Sequence, residues 1–430
     1  MFKRDEYLNT INVNRDVPQL KLLTGIRHGG KSSILAQFAG TLKEEGVQEN
    51  HIINFDMSNP DFSSVKNVTE IENIVSKSTK ERGKYYLILD EIHSLRNWQK
   101  AVNTFCSNKK FDIYVGNSSA KWVSDKSPAA LGNINKHIKI NVKPMSFYEY
   151  VSNSKTDMVR GQGLLRCAIS IRESDGRQFV NYVLYGGFPA VLQEDENEKS
   201  LRLKCIYDSI ISEDLVEKNK INNVDLLKHI IKYIFENLGH ENSAKKIKTH
   251  LLEISVTKDL SLIGKYLSYL EDAYLLKRIY RYNITSGKLL RSSVQYFLED
   301  HSLVYPVVEI NDELRFGVLK NIVLNDFLRR KYYVWSGKFF KHIIDFVAMT
   351  HEKIVFAQLV YGKFLFKEQL DEKQKALAEL NAVINDYVDH PQMAMYIIFA
   401  DHETAEQVAD TGVVNIRNIS IEDFLLLKNI

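Results

Sequence analysis

This sequence predicts an α/β chain with a parallel sheet wound between helices, and three observations carry that prediction. Leu20-Lys21-Leu22-Leu23-Thr24 reads as a short buried strand. A glycine-bearing run, Gly25-Ile26-Arg27-His28-Gly29-Gly30-Lys31-Ser32, follows it, and then Ile34, Leu35, Phe38, Ala39 and Leu42 repeat at helical spacing. Further on, the apolar run Tyr85-Tyr86-Leu87-Ile88-Leu89 ends in Asp90 and Glu91, as a strand buried on both faces would. Across residues 1–150, strand-like runs at 20–24, 51–56, 85–90, 111–116 and 137–142 alternate with helical stretches, the pattern of a parallel sheet covered by helices.

The order strand, glycine loop, helix has a chemical consequence. It aims several backbone N–H groups and the positive end of a helix at one point, where a phosphate is stabilised. Residues 25–32 spell G-x-x-x-x-G-K-[ST]. In that pattern Gly25, Gly29 and Gly30 permit the tight path, Lys31 reaches the β- and γ-phosphates, and the Ser32 hydroxyl ligates Mg²⁺. Arg27 and His28 lie inside the loop and Ser33 follows it, so all three belong to the expected binding segment, with His28 expected to face solvent. In open parallel sheets ligands sit outside the carboxyl ends of the strands. Asp90 is therefore expected to hold Mg²⁺ with Ser32, and Glu91 to polarise the attacking water. ATP and Mg²⁺ are the expected cofactors.

Composition narrows the class. At 430 residues the chain is too long for one core, so several domains are expected. A net charge of +3 is too small to argue for nucleic acid by itself. No apolar stretch approaches membrane-spanning length, and Met1-Phe2-Lys3-Arg4-Asp5-Glu6 lacks the apolar core of a signal peptide, so a cytoplasmic location with no membrane partner is expected. Cys106, Cys167 and Cys205 are far apart and odd in number, which suits buried thiols in a reducing compartment.

The remaining elements follow in order. Residues 1–154 form the phosphate-loop core. Residues 155–239 turn helical around the turn Tyr185-Gly186-Gly187-Phe188-Pro189 and read as a lid. Residues 240–312 read as a winged helix: helices over 244–252 and 259–274, then a hairpin, 275–283 and 288–298, turned at Thr285-Ser286-Gly287. Lys245, Lys246 and Lys248 near its first helix, with Lys277, Arg278, Arg281, Lys288 and Arg291 on the hairpin, give a local basic excess. That excess either contacts DNA phosphates or is a solvated, domain-packing face. Residues 313–430 run helix, three strands, long charged helix, strand, then a strand–helix pair, the element order of a restriction-endonuclease-like core.

With these residues on the page, the chain resembles the bacterial and archaeal AAA+-like P-loop ATPases that carry a C-terminal domain of unknown function with a PD-(D/E)XK nuclease-like fold. The marks are Arg4 and Tyr7, Gly25 to Ser32, Leu89-Asp90-Glu91-Ile92 followed by Trp98, Pro144-Met145-Ser146-Phe147-Tyr148-Glu149-Tyr150, the Tyr185-to-Pro189 turn, and Ile344-Asp345-Phe346. The resemblance implies an asparagine that senses the γ-phosphate after the fourth strand. Here Gly116-Asn117-Ser118-Ser119-Ala120 offers Asn117 two residues early and Ser119 in the aligned place. It also implies an arginine before the fifth strand, where Leu131-Gly132-Asn133-Ile134 has none. In the C-terminal domain Asp345 keeps the family's aspartate, but Ile343, Gln358 and Val360 replace its partners and Lys320 stands where relatives carry Glu. Too few carboxylates remain for a hydrolytic metal.

The sequence therefore leads to an ATP-binding AAA+-like protein whose ATPase activity is weak or regulated and which acts as a nucleotide-dependent switch between ATP and ADP forms. The alternative is a nucleotide-gated DNA-binding or interaction module without useful turnover, with DNA held by the winged helix. An oligomer is compatible with either.

Overall fold

The computed structural model describes residues 2–57, 67–92, 98–118, 137–153, 177–254, 260–361, 366–384, 392–408 and 416–428, with residues 59, 62, 65, 95, 387 and 430 individually. Ser119, the segment 131–134 and the start of the lid lie outside the described residues, as does Cys167; Cys106 is half-buried and Cys205 exposed rather than buried.

Five strands build the first sheet: β1 (Leu20–Thr24), β2 (Ile52–Asp56), β3 (Tyr85–Asp90), β4 (Phe111–Asn117) and β5 (His137–Asn141). All pair in parallel, in the order β2-β3-β4-β1-β5. Strands β1 and β3 are buried along their whole length, which is why they read as unbroken apolar runs. Lys21 is the exception within β1; it is buried against Asp112 of β4, whose carboxylate also accepts the Tyr114 hydroxyl at 2.8 Å. Helices α1 (Asp5–Val13) and α2 (Lys31–Glu44) cover one face through Ile11, Ile34 and Phe38. Helices α3 (Val68–Ser78) and α4 (Trp98–Cys106) cover the other through Ile71, Trp98 and Val102.

After α5 (Phe147–Asn153) the described chain is helical: α6 (Arg177–Tyr185), α7 (Glu196–Ser209) and α8 (Val224–Glu236). Between α7 and α8 the helix continues as a π-helix, Ile210–Glu217, a rare form that tends to occur at functional positions. The glycine turn after α6 is fastened to the second sheet, because the Asp300 carboxylate accepts the Gly187 N–H at 2.8 Å.

The second sheet has eight strands in the order β13-β12-β11-β10-β9-β7-β8-β6. Three come from the hairpin region: β6 (Glu241–Asn242), β7 (Leu276–Asn283) and β8 (Lys288–Leu298), alongside α9 (Ala244–Glu253) and α10 (Leu260–Asp272). Five come from beyond it: β9 (Tyr333–Phe339), β10 (His342–Met349), β11 (Lys353–Val360), β12 (Gln392–Phe399) and β13 (Ile416–Ser420). The join is a parallel pairing of β7 with β9, Arg281 opposite Ser336 and Asn283 opposite Lys338. One sheet thus runs across residue 312. Helices α11 (Asp312–Arg329) and α12 (Phe366–Val383) flank it, and Leu377 and Leu380 of α12 pack on Val347 and Phe356.

Candidate nucleotide-binding site

The loop after β1 turns sharply at Gly25, which has φ of 141° and lies so close to β5 that a Cβ there would sit 2.0 Å from the Val142 carbonyl. Helix α2 then begins at Gly30 with no side chain capping its first N–H groups. Those amides are the orphan donors that an anion satisfies. Lys31 is buried, and its Nζ donates to the Gly25 and Ile26 carbonyls at 3.1 and 3.0 Å. Burial pushes its ammonium below the usual lysine range, against the pull of Glu91 and Asp90.

Strand β3 delivers the two acids to the same end of the sheet. Asp90 is nearly fully buried and hydrogen-bonded by the Ser32 hydroxyl; burial pushes its carboxyl up to about 6. Its neighbour in the register is Gly116, where a Cβ would overlap the carboxylate at 2.0 Å. Glu91 adopts φ of 52°, a strained conformation for a non-glycine residue. Its N–H donates to the Gly116 carbonyl at 3.2 Å. Burial also raises the Glu91 carboxyl, with Lys31 and Arg27 opposing.

The other expected residues have distinct places. Asn117 ends β4 fully buried, opposite Thr24 in the pairing. The Ser33 hydroxyl accepts from Gln37 at 3.3 Å. His28 is exposed on average, yet a ring nitrogen hydrogen-bonds the Ser209 hydroxyl at 3.0 Å, so it touches the lid rather than facing water alone.

Four residues around this site were not assigned to it from the sequence: Asp214, Glu213, Ser118 and Arg4. Asp214, buried in the π-helix, takes the Arg27 guanidinium in a two-point contact, Nε at 2.7 Å and Nη2 at 3.1 Å, while Glu213 takes Nη1 at 2.9 Å. Ser118 stands between Asp214 and Glu91, with its hydroxyl 3.3 and 3.4 Å from their carboxylates. Arg4 lies buried behind the loop and donates to the Lys143 carbonyl (2.8 Å), the Gly29 carbonyl (3.4 Å) and Glu149 (2.8 Å), which Arg329 also contacts at 3.2 Å. For Asp214 a signal existed: it falls four residues after Ile210 on an otherwise apolar helical stripe, where a lone acid implies a buried cation.

The donor set fits a magnesium triphosphate: uncapped amides, a buried ammonium, and a serine–aspartate pair of hard oxygen ligands.

Two further expectations meet the structure differently. The hairpin cations are already engaged: Lys277 with Glu299 at 2.7 Å, Arg278 with Glu271 at 2.8 Å, and Arg281 with Glu241 at 3.0 Å. Lys288 and Arg291 remain exposed. At the second sheet, the Asp345 carboxylate sits between two ammoniums, Lys320 at 3.0 Å and Lys373 at 2.5 Å, and accepts the Leu359 N–H at 3.0 Å. Gln358 accepts from the Asp345 N–H and donates to the Ile343 carbonyl. Burial works to raise the Asp345 carboxyl, but the two lysines hold it well below the usual range. Among the described residues no group of three His, Cys, Asp or Glu forms a metal set, and no helix is long and apolar enough to cross a membrane.

Comparison with known proteins agrees with the first sheet. Residues 17–151 match the family described as an AAA domain, and residues 176–314 match a domain of unknown function, DUF8612. The segment that carries the loop and both acids is thus similar to AAA-type P-loop domains, which supports ATP binding there. Over 362 residues the chain is 27% identical to an uncharacterized protein of Haemophilus influenzae, spanning 84% of this chain and 87% of that one. It is 28% identical over 275 residues to the uncharacterized protein MJ1544 of Methanocaldococcus jannaschii, spanning 61% and 58%. Among solved structures, the Walker-type ATPase PABY2304 of Pyrococcus abyssi overlaps 74% of this chain and 96% of its own, at 16% identity and a TM-score of 0.46.

Proposed function

We propose that the chain is a nucleotide-dependent switch, in which bound ATP biases the angle between the phosphate-loop core and the helical lid and is hydrolysed slowly or under regulation. One observation carries this reading: loop and lid are bonded to each other through Arg27 and the acids Asp214 and Glu213. A nucleotide whose terminal phosphate reaches that guanidinium must then act on the lid, because it competes with the two acids. Gly25, Gly29, Gly30 and Lys31 cradle phosphate, Ser32 and Asp90 hold Mg²⁺, Glu91 polarises water, and Asn117 reads the γ-phosphate. When bound, Mg²⁺ supplies charge neutralisation between the β- and γ-oxygens.

Residues 240–312 are read as a winged helix and 313–430 as a nuclease-like scaffold without hydrolytic chemistry, on element order and on the lysine-paired Asp345. The ion pairs on the hairpin speak against DNA docking through Lys277, Arg278 and Arg281. The protein is expected to act in the cytoplasm.

Calorimetric titration with Mg-ATP tests the assignment directly. The parent should bind, and Lys31→Ala should weaken binding on the order of 100-fold, because a charge-assisted contact to phosphate is lost where backbone amides cannot replace it. Equal binding by both proteins would refute the phosphate-loop assignment.

A further inference from the structure

The loop residue Arg27 has a second aspect. Its guanidinium presents Nε, Nη1 and Nη2 to carboxylate oxygens of the π-helix at 2.7, 2.9 and 3.1 Å. A carboxylate pair in that fork has the geometry in which a guanidinium grips phosphate oxygens. The clamp reaches Glu91 through Ser118, whose hydroxyl lies 3.3 Å from the Asp214 carboxylate and 3.4 Å from that of Glu91. On the reading that Glu91 polarises the attacking water, a cation beside it would meet the terminal phosphoryl group. Lys31, by contrast, is buried under the loop on the Gly25 and Ile26 carbonyls.

We infer that Arg27 is the chain's own arginine finger, acting in cis on the γ-phosphate, and that Asp214 is the lid latch that holds it until nucleotide arrives. The inference rests on the ATP-switch reading and deepens it. In the structure Asp214 occupies the Arg27 fork and, through the Ser118 hydroxyl, is tied to Glu91. A γ-phosphate is a second anion aimed at the same fork. Its arrival releases Asp214, and with it the π-helix and Ser118, so the cation reaches the phosphate and Glu91 is freed in one event. ADP has no γ-phosphate and leaves the latch closed. Asp214 is on this account a positioning residue, and Arg27 a catalytic one.

The test compares Mg-ATP with Mg-ADP on the full chain. Affinities come from calorimetry, nucleotide-induced gains in Tm from thermal melts, and turnover from phosphate release. Asp214→Asn should bind Mg-ATP about tenfold more tightly relative to Mg-ADP than the parent does, since only the γ-phosphate competes with the latch. Arg27→Gln should lose turnover by about 10³-fold or more, the scale of an arginine finger, while keeping ADP affinity within a few-fold. Adding Asp214→Asn to Arg27→Gln should restore none of the ATP preference. Because Asp214 is buried, Glu213→Gln at the exposed rim of the same clamp serves as a milder probe and should move the ATP-to-ADP ratio in the same direction.

Equal shifts for ATP and ADP in both the Asp214 and Glu213 variants, or parent-like phosphate release by Arg27→Gln, would overturn the inference. A parent that binds neither nucleotide would instead remove the switch reading, and the inference would fall with it.

Discussion

Of the places where this molecule holds a buried carboxylate against basic side chains, two make an instructive contrast. At the phosphate loop, Asp214 meets Arg27 across a boundary between loop and lid, and the pair is part-open: the Arg27 side chain is 21% exposed and its outer partner Glu213 is 47% exposed. At the second sheet, Asp345 is enclosed by Lys320 and Lys373 with side-chain exposures of 7%, 9% and 17% for Lys320, Asp345 and Lys373, and all three sit on regular elements of one layered unit. On the proposed reading the first pair has an anionic competitor in the nucleotide's terminal phosphate. The second is closed by two cations on the same carboxylate. Similar charges thus make a releasable contact in one place and a fixed one in the other, and the difference lies in which elements carry them.

The fixed site gives the largest expected effect. Asp345→Asn leaves two buried ammoniums facing an amide, so it should cost about 3–5 kcal/mol of stability, the scale for breaking a buried pair. The sequence alone argues only a modest loss, because it does not reveal that two lysines converge there. The sign with pH follows: the folded carboxyl titrates lower than the unfolded one, so its stabilisation holds above the unfolded value and is lost as pH falls through the folded one. Chemical denaturation at pH 7 checks the loss, and unaltered Mg-ATP affinity in the same variant checks that the site is separate from the loop. Plasmid nicking by the parent with Mg²⁺ or Mn²⁺, abolished in the variant, would turn this fixed site into an active one and end the contrast.

At the releasable site, Glu91→Gln should leave Mg-ATP binding within a few-fold of the parent and lower phosphate release by about 10²-fold, the range for removing a general base. Turnover equal to the parent's would make Glu91 a strand-end acid only.

Asp90→Asn sharpens the comparison by pH. Burial raises the folded carboxyl to about 6, above its unfolded value, so ionised Asp90 opposes folding. That opposition is absent below the unfolded value, grows as pH rises through the window between the two, and is complete above about 6. The variant without nucleotide should therefore gain about 3 kcal/mol over the parent at pH 7.5 and almost nothing at pH 4. Melting curves across that range decide it; a gain independent of pH would mean the carboxylate is already compensated.

How legible these sites were depends on sequence distance. The parallel strands read almost to the residue, the fourth as 111–116 against Phe111–Asn117, because the three central strands are buried on both faces and their short apolar runs stop at turn residues or acids. The loop and the two acids lie at strand ends, where their local patterns put them. The Arg27–Asp214 pair was not legible, because the partners stand 187 residues apart and a lone acid names no partner. Lys320, Asp345 and Lys373 lie closer, yet they belong to two helices and a strand whose packing no periodicity specifies. The basic hairpin misleads for a related reason: cations are visible in a sequence, whereas the carboxylates that face them, Glu241, Glu271 and Glu299, come from other elements.

The parallel seam between β7 and β9 has a consequence for how this chain can be divided. A fragment ending near residue 312 would carry β7 with one flank bare, its backbone donors and acceptors turned outward like an unfinished hem. Such a border recruits whatever strand is at hand, often another copy of itself. The hairpin and the α/β segment after it are therefore inseparable in practice, on the bench as in a genome: a gene cut there yields a sticky product, and a working one is inherited whole.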